Sequence, residues 1–117
     1  MRKAVHLINR RDGRSLHGLS RWPQEAAGFR SCCWRITDEQ AAELLGGWVY
    51  FHETKSAPAG FGGLILGFEA GQGDLAKRKV ILFRADGRAR GASWRGADHQ
   101  MAMWSGLVQA DLPHEAE

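Results

Sequence analysis

The sequence predicts an α+β fold: a small, partly closed β-barrel of about six short strands with one or two short helices. Three observations predict it. Runs of aromatic and β-branched residues recur along the chain, each too short for a helix and bounded by Gly, Asp or Ser. Fifteen glycines in 117 residues supply corners where a strongly bent sheet has no room for a Cβ. One segment near the middle carries a complete set of helix signals.

Lys3–Asn9 (KAVHLIN) alternates weakly and reads as the first strand. Arg10–Phe29 is rich in Arg, Gly and Ser and reads as a long loop, a kind of segment more often functional than neutral. Pro23–Ala27 within it suits a short helical turn, because proline is accommodated at the first helical position, and Trp22 is expected to anchor the loop in the core. Ser31–Ile36 reads as a second strand or an extended lead into a helix. Thr37-Asp38-Glu39-Gln40 then matches a capping box, in which the Thr37 hydroxyl accepts from the Gln40 amide and the Gln40 side chain reaches back to the Thr37 amide. Ala41, Leu44 and Leu45 follow at helical spacing, and Gly46-Gly47 supplies a left-handed stop.

Two apolar runs come next, Trp48–Phe51 and Leu64–Phe68, read as paired strands. Between them lie a polar corner, His52–Ser56, and Gly60, Gly62 and Gly63, which let the backbone enter the second strand around Phe61. Lys79–Arg84 is apolar on both faces, as in a covered sheet. Asp86-Gly87 signals a turn into Arg88–Trp94, read as a further strand with Arg88 and Arg90 on one face. Asp98–Met103 is expected to form a helical turn, with Met101, Met103 and Trp104 filling the core. Ser105–Ala110 reads as a closing strand and 111–117 as a frayed tail.

The length allows one domain, 1–117, with a basic N-terminal part, 1–36. At 44% hydrophobic and 25% charged residues, the chain falls outside the disordered class. No apolar run reaches the roughly 20 residues of a membrane span, and the N-terminus lacks the apolar core of a signal peptide. A cytoplasmic location is the default expectation, with no membrane partner. Cys32 and Cys33 are adjacent, a spacing that rarely forms a mutual disulfide and matches no metal motif, so they are expected as reduced strand residues. Neither a metal nor a cofactor is expected.

The net charge is only +3, but it is unevenly spread: residues 1–36 carry eight bases against two acids, and residues 77–95 seven against one. Twelve of the sixteen bases are arginine, the side chain suited to bidentate phosphate contact and to stacking on bases. Two basic blocks converging on one face would attract a polyanion. The alternative is that basic and acidic faces neutralise each other within the fold.

Two clusters stand out as candidate sites. His52, Glu53, Thr54, Lys55 and Ser56 bring an imidazole, a carboxylate, an ammonium and two hydroxyls together. Trp94-Arg95-Gly96-Ala97-Asp98-His99 joins an aromatic plane to a guanidinium, a carboxylate and an imidazole, the residue types that stack a base and hold its phosphate. Trp34, Trp48 and Trp94 are candidate walls for a flat ligand, set against the reading that all three are core. Arg84, Arg88, Arg90 and Arg95 are candidate phosphate contacts. Gly60-Phe61-Gly62-Gly63 lacks the Gly-Lys-Ser/Thr ending of a phosphate loop and is read as structural.

Val49-Tyr50-Phe51-His52-Glu53-Thr54-Lys55 followed by Gly63-Leu64-Ile65-Leu66-Gly67-Phe68 resembles the central motif of the PUA-like superfamily, particularly its ASCH and EVE branches. A strand of the form apolar-apolar-His-x-x-Lys is followed there by a loop and by Gly-apolar-apolar-Gly-x-apolar. The resemblance covers about a third of the chain. It implies a small β-barrel that binds RNA or a modified base in DNA. Some ASCH-like members are hydrolases of acylated cytidines. By that resemblance Lys55, Thr54 and Glu53 or Glu69 would form a catalytic set. Three functional readings stay open: a nucleic-acid-binding module that takes up a modified or flipped base, a small amidohydrolase acting on a modified nucleoside, and an accessory domain that binds a protein partner.

Overall fold

The computed structural model describes residues 2–9, 11–12, 15–97 and 103–116. In chain order these form β1 (Lys3–Ile8), β2 (Arg11–Asp12), β3 (Ser15–Leu16), β4 (Leu19–Arg21), β5 (Gly28–Trp34), α1 (Asp38–Leu44), β6 (Trp48–His52), β7 (Phe61–Ala70), β8 (Lys79–Ala85) and β9 (Val108–Gln109). Seven strands make one mixed sheet in the order β4-β5-β8-β7-β6-β1-β9, and β2 pairs only with β3. Within the large sheet only β1 and β6 run parallel. The fold is α+β, as the composition predicts.

The sheet is open. Its outer strands, β4 and β9, do not pair with each other, so the expected partly closed barrel is corrected. Full closure would need another hydrogen-bonded ladder between these edges. Both strands are very short, two and three residues, which limits the exposed edge.

Alternation along the central strands explains how both faces of the sheet are buried. Val5, Leu7, Val49, Phe51, Ile65, Ile81 and Phe83 point to one side and pack with Ile36, Ala41 and Leu44 from α1 and its lead-in. Ala4, Trp48 and Tyr50 point to the other side, where Ala59 and Ala89 cover them and Leu64, Ala92, Val108 and Leu112 pack around them. His6 and His52 share that second side by register, since Ala4 aligns with Trp48, His6 with Tyr50 and Ile8 with His52.

The helix forms as its signals direct. The Gln40 amide donates to Thr37 Oγ1 at 3.1 Å, and the Thr37 amide donates to Gln40 Oε1 at 2.9 Å. Gly46 adopts φ of 79°, the left-handed stop that L-residues other than glycine rarely accept. Thr37→Ala removes one of the two capping bonds. It is expected to cost about 1 kcal/mol, read as a shift in the urea midpoint without a change in slope.

Gly63 has a different reason to be glycine. A Cβ there would collide with the carbonyl of Arg84 on β8, so β7 can lie between β6 and β8 only with a bare Cα at this point. The glycine-rich entry into β7 is structural, as expected.

Several sequence expectations are corrected downstream of β8. Arg88–Trp94 is not a strand: Gly87–Ala89 forms a 3-10 turn capped by the Asp86 side chain, which accepts from the Arg88 amide at 2.9 Å, and an irregular segment follows. Residues 111–116, expected as part of a frayed tail, are docked. Pro113–Ala116 forms a 3-10 turn with Glu115 fully buried. Near the N-terminus, Pro23–Ala27 is a pair of turns rather than a helix, and the long loop before it holds β2, β3 and β4. Cys32 and Cys33 lie side by side near the end of β5. The β5–β8 register shifts between Ser31 and Trp34, which releases this pair from regular alternation. Asp98–Met103 lies outside the described residues except for Met103, which is exposed.

Candidate functional site

The polar corner after β6 opens onto a cleft of about 580 Å³. One wall is apolar: Leu16 of β3, Leu19 of β4, Phe29 of β5, Phe51 of β6 and Phe61 of β7. Phe61 meets Phe29 edge-on at 5.2 Å and lies over Phe51 at 6.3 Å between ring centroids. His52, Glu53 and Arg90 supply the polar lining, and Arg21 places its guanidinium 5.0 Å above the Phe29 ring.

The corner that frames this cleft is pinned by its backbone. The Gly60 amide donates to the Phe51 carbonyl at 3.1 Å, and Ala59 exchanges hydrogen bonds of 2.9 Å with Gly91 and Ala92. Arg90 therefore sits beside the corner, and its Nε donates to the Gly60 carbonyl at 3.4 Å. The Thr54 hydroxyl accepts from the Ala57 amide at 3.2 Å, closing a local turn of a kind that serine and threonine favour.

Behind the cleft runs a buried polar chain whose protons can be assigned from partners alone. His52 Nδ1 lies 2.9 Å from the Ala57 carbonyl, an acceptor, so Nδ1 carries the hydrogen and Nε2 accepts. His6 Nδ1, 2.8 Å from that Nε2, must then donate. His6 Nε2 in turn accepts from Arg95 Nε at 3.0 Å. Each imidazole makes two hydrogen bonds as a neutral ring, and a proton added to either would have no acceptor. Burial, and then the neighbouring Arg95 charge, lower the His6 pKa to about 3. Burial also holds His52 below its ordinary value.

Arg95 links this chain to the C-terminal turn. Its Nη2 donates to Glu115 Oε2 at 2.7 Å, and its Nη1 reaches Glu115 Oε1 at 3.0 Å and Asp111 Oδ1 at 2.5 Å. Glu115 also receives the Tyr50 hydroxyl at 2.5 Å and the amides of Asp111 and Leu112, each at 3.0 Å. His114 Nε2 lies 2.7 Å from the Tyr50 oxygen and donates to it, since the Tyr50 hydrogen is already given to Glu115. Burial alone would raise the Glu115 pKa, but the hydrogen bonds from Arg95 and Tyr50 outweigh it and bring it down to about 2. Burial and the Glu115 carboxylate push Tyr50 well above the usual phenol range.

Of the residues expected in a site, His52, Glu53 and Arg90 line the cleft. Thr54, Lys55 and Ser56 belong to the adjoining corner but do not line it. Trp94 touches the back of His52, with ring centroids 5.2 Å apart, and its Nε1 donates to the Ala97 carbonyl at 2.8 Å. Trp48 packs in the second core and borders none of these hollows, so it is filler rather than a ligand wall. Trp34 borders other cavities. Asp98 and His99 lie outside the described residues.

The expected phosphate contacts also separate. Arg84 is exposed and pairs at 4.0 Å with Glu25, while Arg88 pairs with Asp86 at 2.9 Å and covers the Trp48 ring. Arg95 has all three guanidinium nitrogens committed to protein partners. It is corrected from a phosphate contact to an internal cation. Glu69 pairs with Arg30 at 3.7 Å. It lies eight residues along β7 from Phe61, roughly 25 Å at strand rise, so the Lys55, Thr54, Glu53 and Glu69 set does not assemble through Glu69.

Sequence reasoning missed the phenylalanine wall, because Phe29, Phe51 and Phe61 come from three separate strands. It also missed His6 and Glu115. An inward-facing histidine inside an otherwise apolar strand was the one available signal for His6. Among the described residues, no group of three or more His, Cys, Asp or Glu is placed to hold a metal, and no helix is long and apolar enough to cross a membrane. No protein-family model, curated protein or solved structure matches the chain.

Proposed function

We propose that this chain is a nucleic-acid-binding module that takes one base, flipped out or at the end of a single strand, into the cleft beside β6. The observation that carries the proposal is the meeting of Phe29 and Phe61, over the buried Phe51, at an open cleft lined by Arg90, with Arg21 above the Phe29 ring. Its volume falls within the range of small-ligand sites, roughly 300–1,000 Å³. An aromatic wall offers any base a π-face, and guanidinium groups beside it suit the flanking phosphates. Glu53 lines the same cleft, and His52 closes the inner end.

The PUA-like reading is supported by the succession of capped helix, Gly-Gly stop, β6, polar corner and β7. The open sheet departs from the barrel which that family implies. The buried histidine–arginine chain holds the orientation of His52 and does not itself meet the ligand.

Fluorescence anisotropy with single-stranded DNA and RNA 8-mers tests the proposal. Affinity should fall steeply between 50 and 200 mM salt, as phosphate contact requires. Phe61→Ala should weaken binding roughly 5- to 150-fold, the equivalent of about 1–3 kcal/mol for one stacked base. Arg90→Glu, which leaves the core untouched, should weaken it as well. Absence of binding at low salt, or parent-like affinity in both variants, would sink the idea.

A further inference from the structure

We infer that a second groove, on the other side of the turn between β3 and β4, holds the neighbouring nucleotide of the same strand. Two adjoining hollows, of about 390 and 380 Å³, share Cys33, Trp34, Arg78 and Met103. This inference rests on the reading of the cleft as a base site.

The groove has the parts a nucleotide needs. Trp34 provides a plane whose orientation is held by its Nε1 donating to Ser31 Oγ at 3.0 Å, and Trp104 borders the same hollow. Arg35 and Arg78 bring two guanidinium groups. The Arg78 backbone is fixed on both sides, its amide donating to Leu75 at 2.9 Å and its carbonyl accepting from Gly71 at 2.8 Å.

Asn9 lines the second hollow, is 5% exposed, and its Nδ2 has no hydrogen-bond partner among the described residues. A buried amide left unmet costs about 1–3 kcal/mol, a cost that a base edge offering an acceptor would relieve once the Asn9 side chain turns toward the hollow. The ligand class is therefore a planar ring with an acceptor edge and an attached phosphate.

Position in the fold joins this groove to the cleft. Leu16 and Leu19 line the cleft, while His17 and Gly18, the two residues between them, line the groove. The Cys32 amide donates to the Gly18 carbonyl at 3.0 Å, which fixes this turn on β5 as a partition. A nucleic-acid strand crossing the turn would place successive bases on either side.

The test compares binding of the same labelled 8-mers by Asn9→Leu, Arg78→Ala and Lys77→Gln. Asn9→Leu keeps the side-chain bulk but lacks the amide. It should bind several-fold more weakly with a melting temperature equal to or above the parent's. Arg78→Ala should bind roughly tenfold more weakly and reduce the salt slope by about 0.7 for one lost single-strand contact. Lys77→Gln removes the same charge one residue away and should change neither.

Parent-like affinity in both groove variants, or an equal loss in Lys77→Gln, overturns the second subsite. If Phe61→Ala still loses affinity in that case, the cleft reading stands. No binding by the parent protein overturns both.

Discussion

The Glu115→Gln variant is expected to lose about 3–5 kcal/mol of stability, the cost of leaving one charge of a buried ion pair without its partner. The substitution preserves the shape of the side chain, so the loss comes from charge. Arg95 would keep its contact with Asp111, a carboxylate whose side chain is 66% exposed, but lose the fully buried one. Tyr50 would exchange a carboxylate acceptor for a weaker amide, and the Asp111 and Leu112 amides would lose a charged acceptor as well. The exposed pair between Lys79 and Asp38 offers the contrast: at 2.8 Å it is as close, yet with Asp38 in solvent the charges are screened by water and the pair contributes little. Urea unfolding of the two variants, Glu115→Gln and Asp38→Asn, reads the difference directly. A Glu115→Gln midpoint within experimental error of the parent's would mean that the C-terminal turn is not docked as described.

That turn is also where the sequence was least legible. The run DLPHEAE is short, polar and terminal, and nothing local distinguishes a docked carboxylate from a solvated one. Its partner Arg95 is twenty residues away and reads locally as one more member of a basic block. Only the register of β1 beside β6, which aligns His6 with Tyr50, creates the polar hollow that the Arg95–Glu115 pair fills. Such pairings are set by tertiary contact, and neither charge counting nor periodicity carries them.

Where local chemistry decides, the reading was sound. The capping box at Thr37, the Gly46 stop, the core strands β1, β6, β7 and β8 and the Asp86-Gly87 turn all follow from short-range rules and are present. The barrel expectation failed for a physical reason: glycines at Gly62 and Gly63 serve the close approach of neighbouring backbones within the sheet, and glycine count alone cannot distinguish that from corners. The site was legible in part. The polar corner at His52 and Glu53 does open on a cleft, but its aromatic wall is phenylalanine rather than tryptophan. Trp48 alternates with Val49 on a strand buried on both faces, and there a large aromatic ring fills the second core as readily as a pocket.

Lowering the pH should begin to destabilise this protein before ordinary carboxylates protonate. His6 has a folded pKa of about 3 against 6.5 for a free side chain. Between those values the unfolded chain binds a proton that the folded chain refuses, so stability falls as pH falls. The slope is about 1.4 kcal/mol per pH unit for one group, and the full window amounts to about 5 kcal/mol. His52, lowered by burial, acts in the same direction below 6.5. Glu115 adds a later loss: with a folded pKa near 2 against 4.5, its contribution is complete above 4.5 and is lost as pH drops towards 2. Set against a typical domain stability of about 5–15 kcal/mol, the histidines alone bring the midpoint of acid unfolding above that of a protein relying on carboxylates. Thermal melts at pH 7.5, 6.5, 5.5 and 4.5 should show a flat step followed by a steepening fall. The His6 imidazole carbon resonances should stay at their neutral positions down to the pH at which the protein unfolds. Melting temperatures that hold level to pH 4.5, or a His6 titration centred near 6.5 in the folded protein, would mean that the two rings are not locked between Ala57 and Arg95.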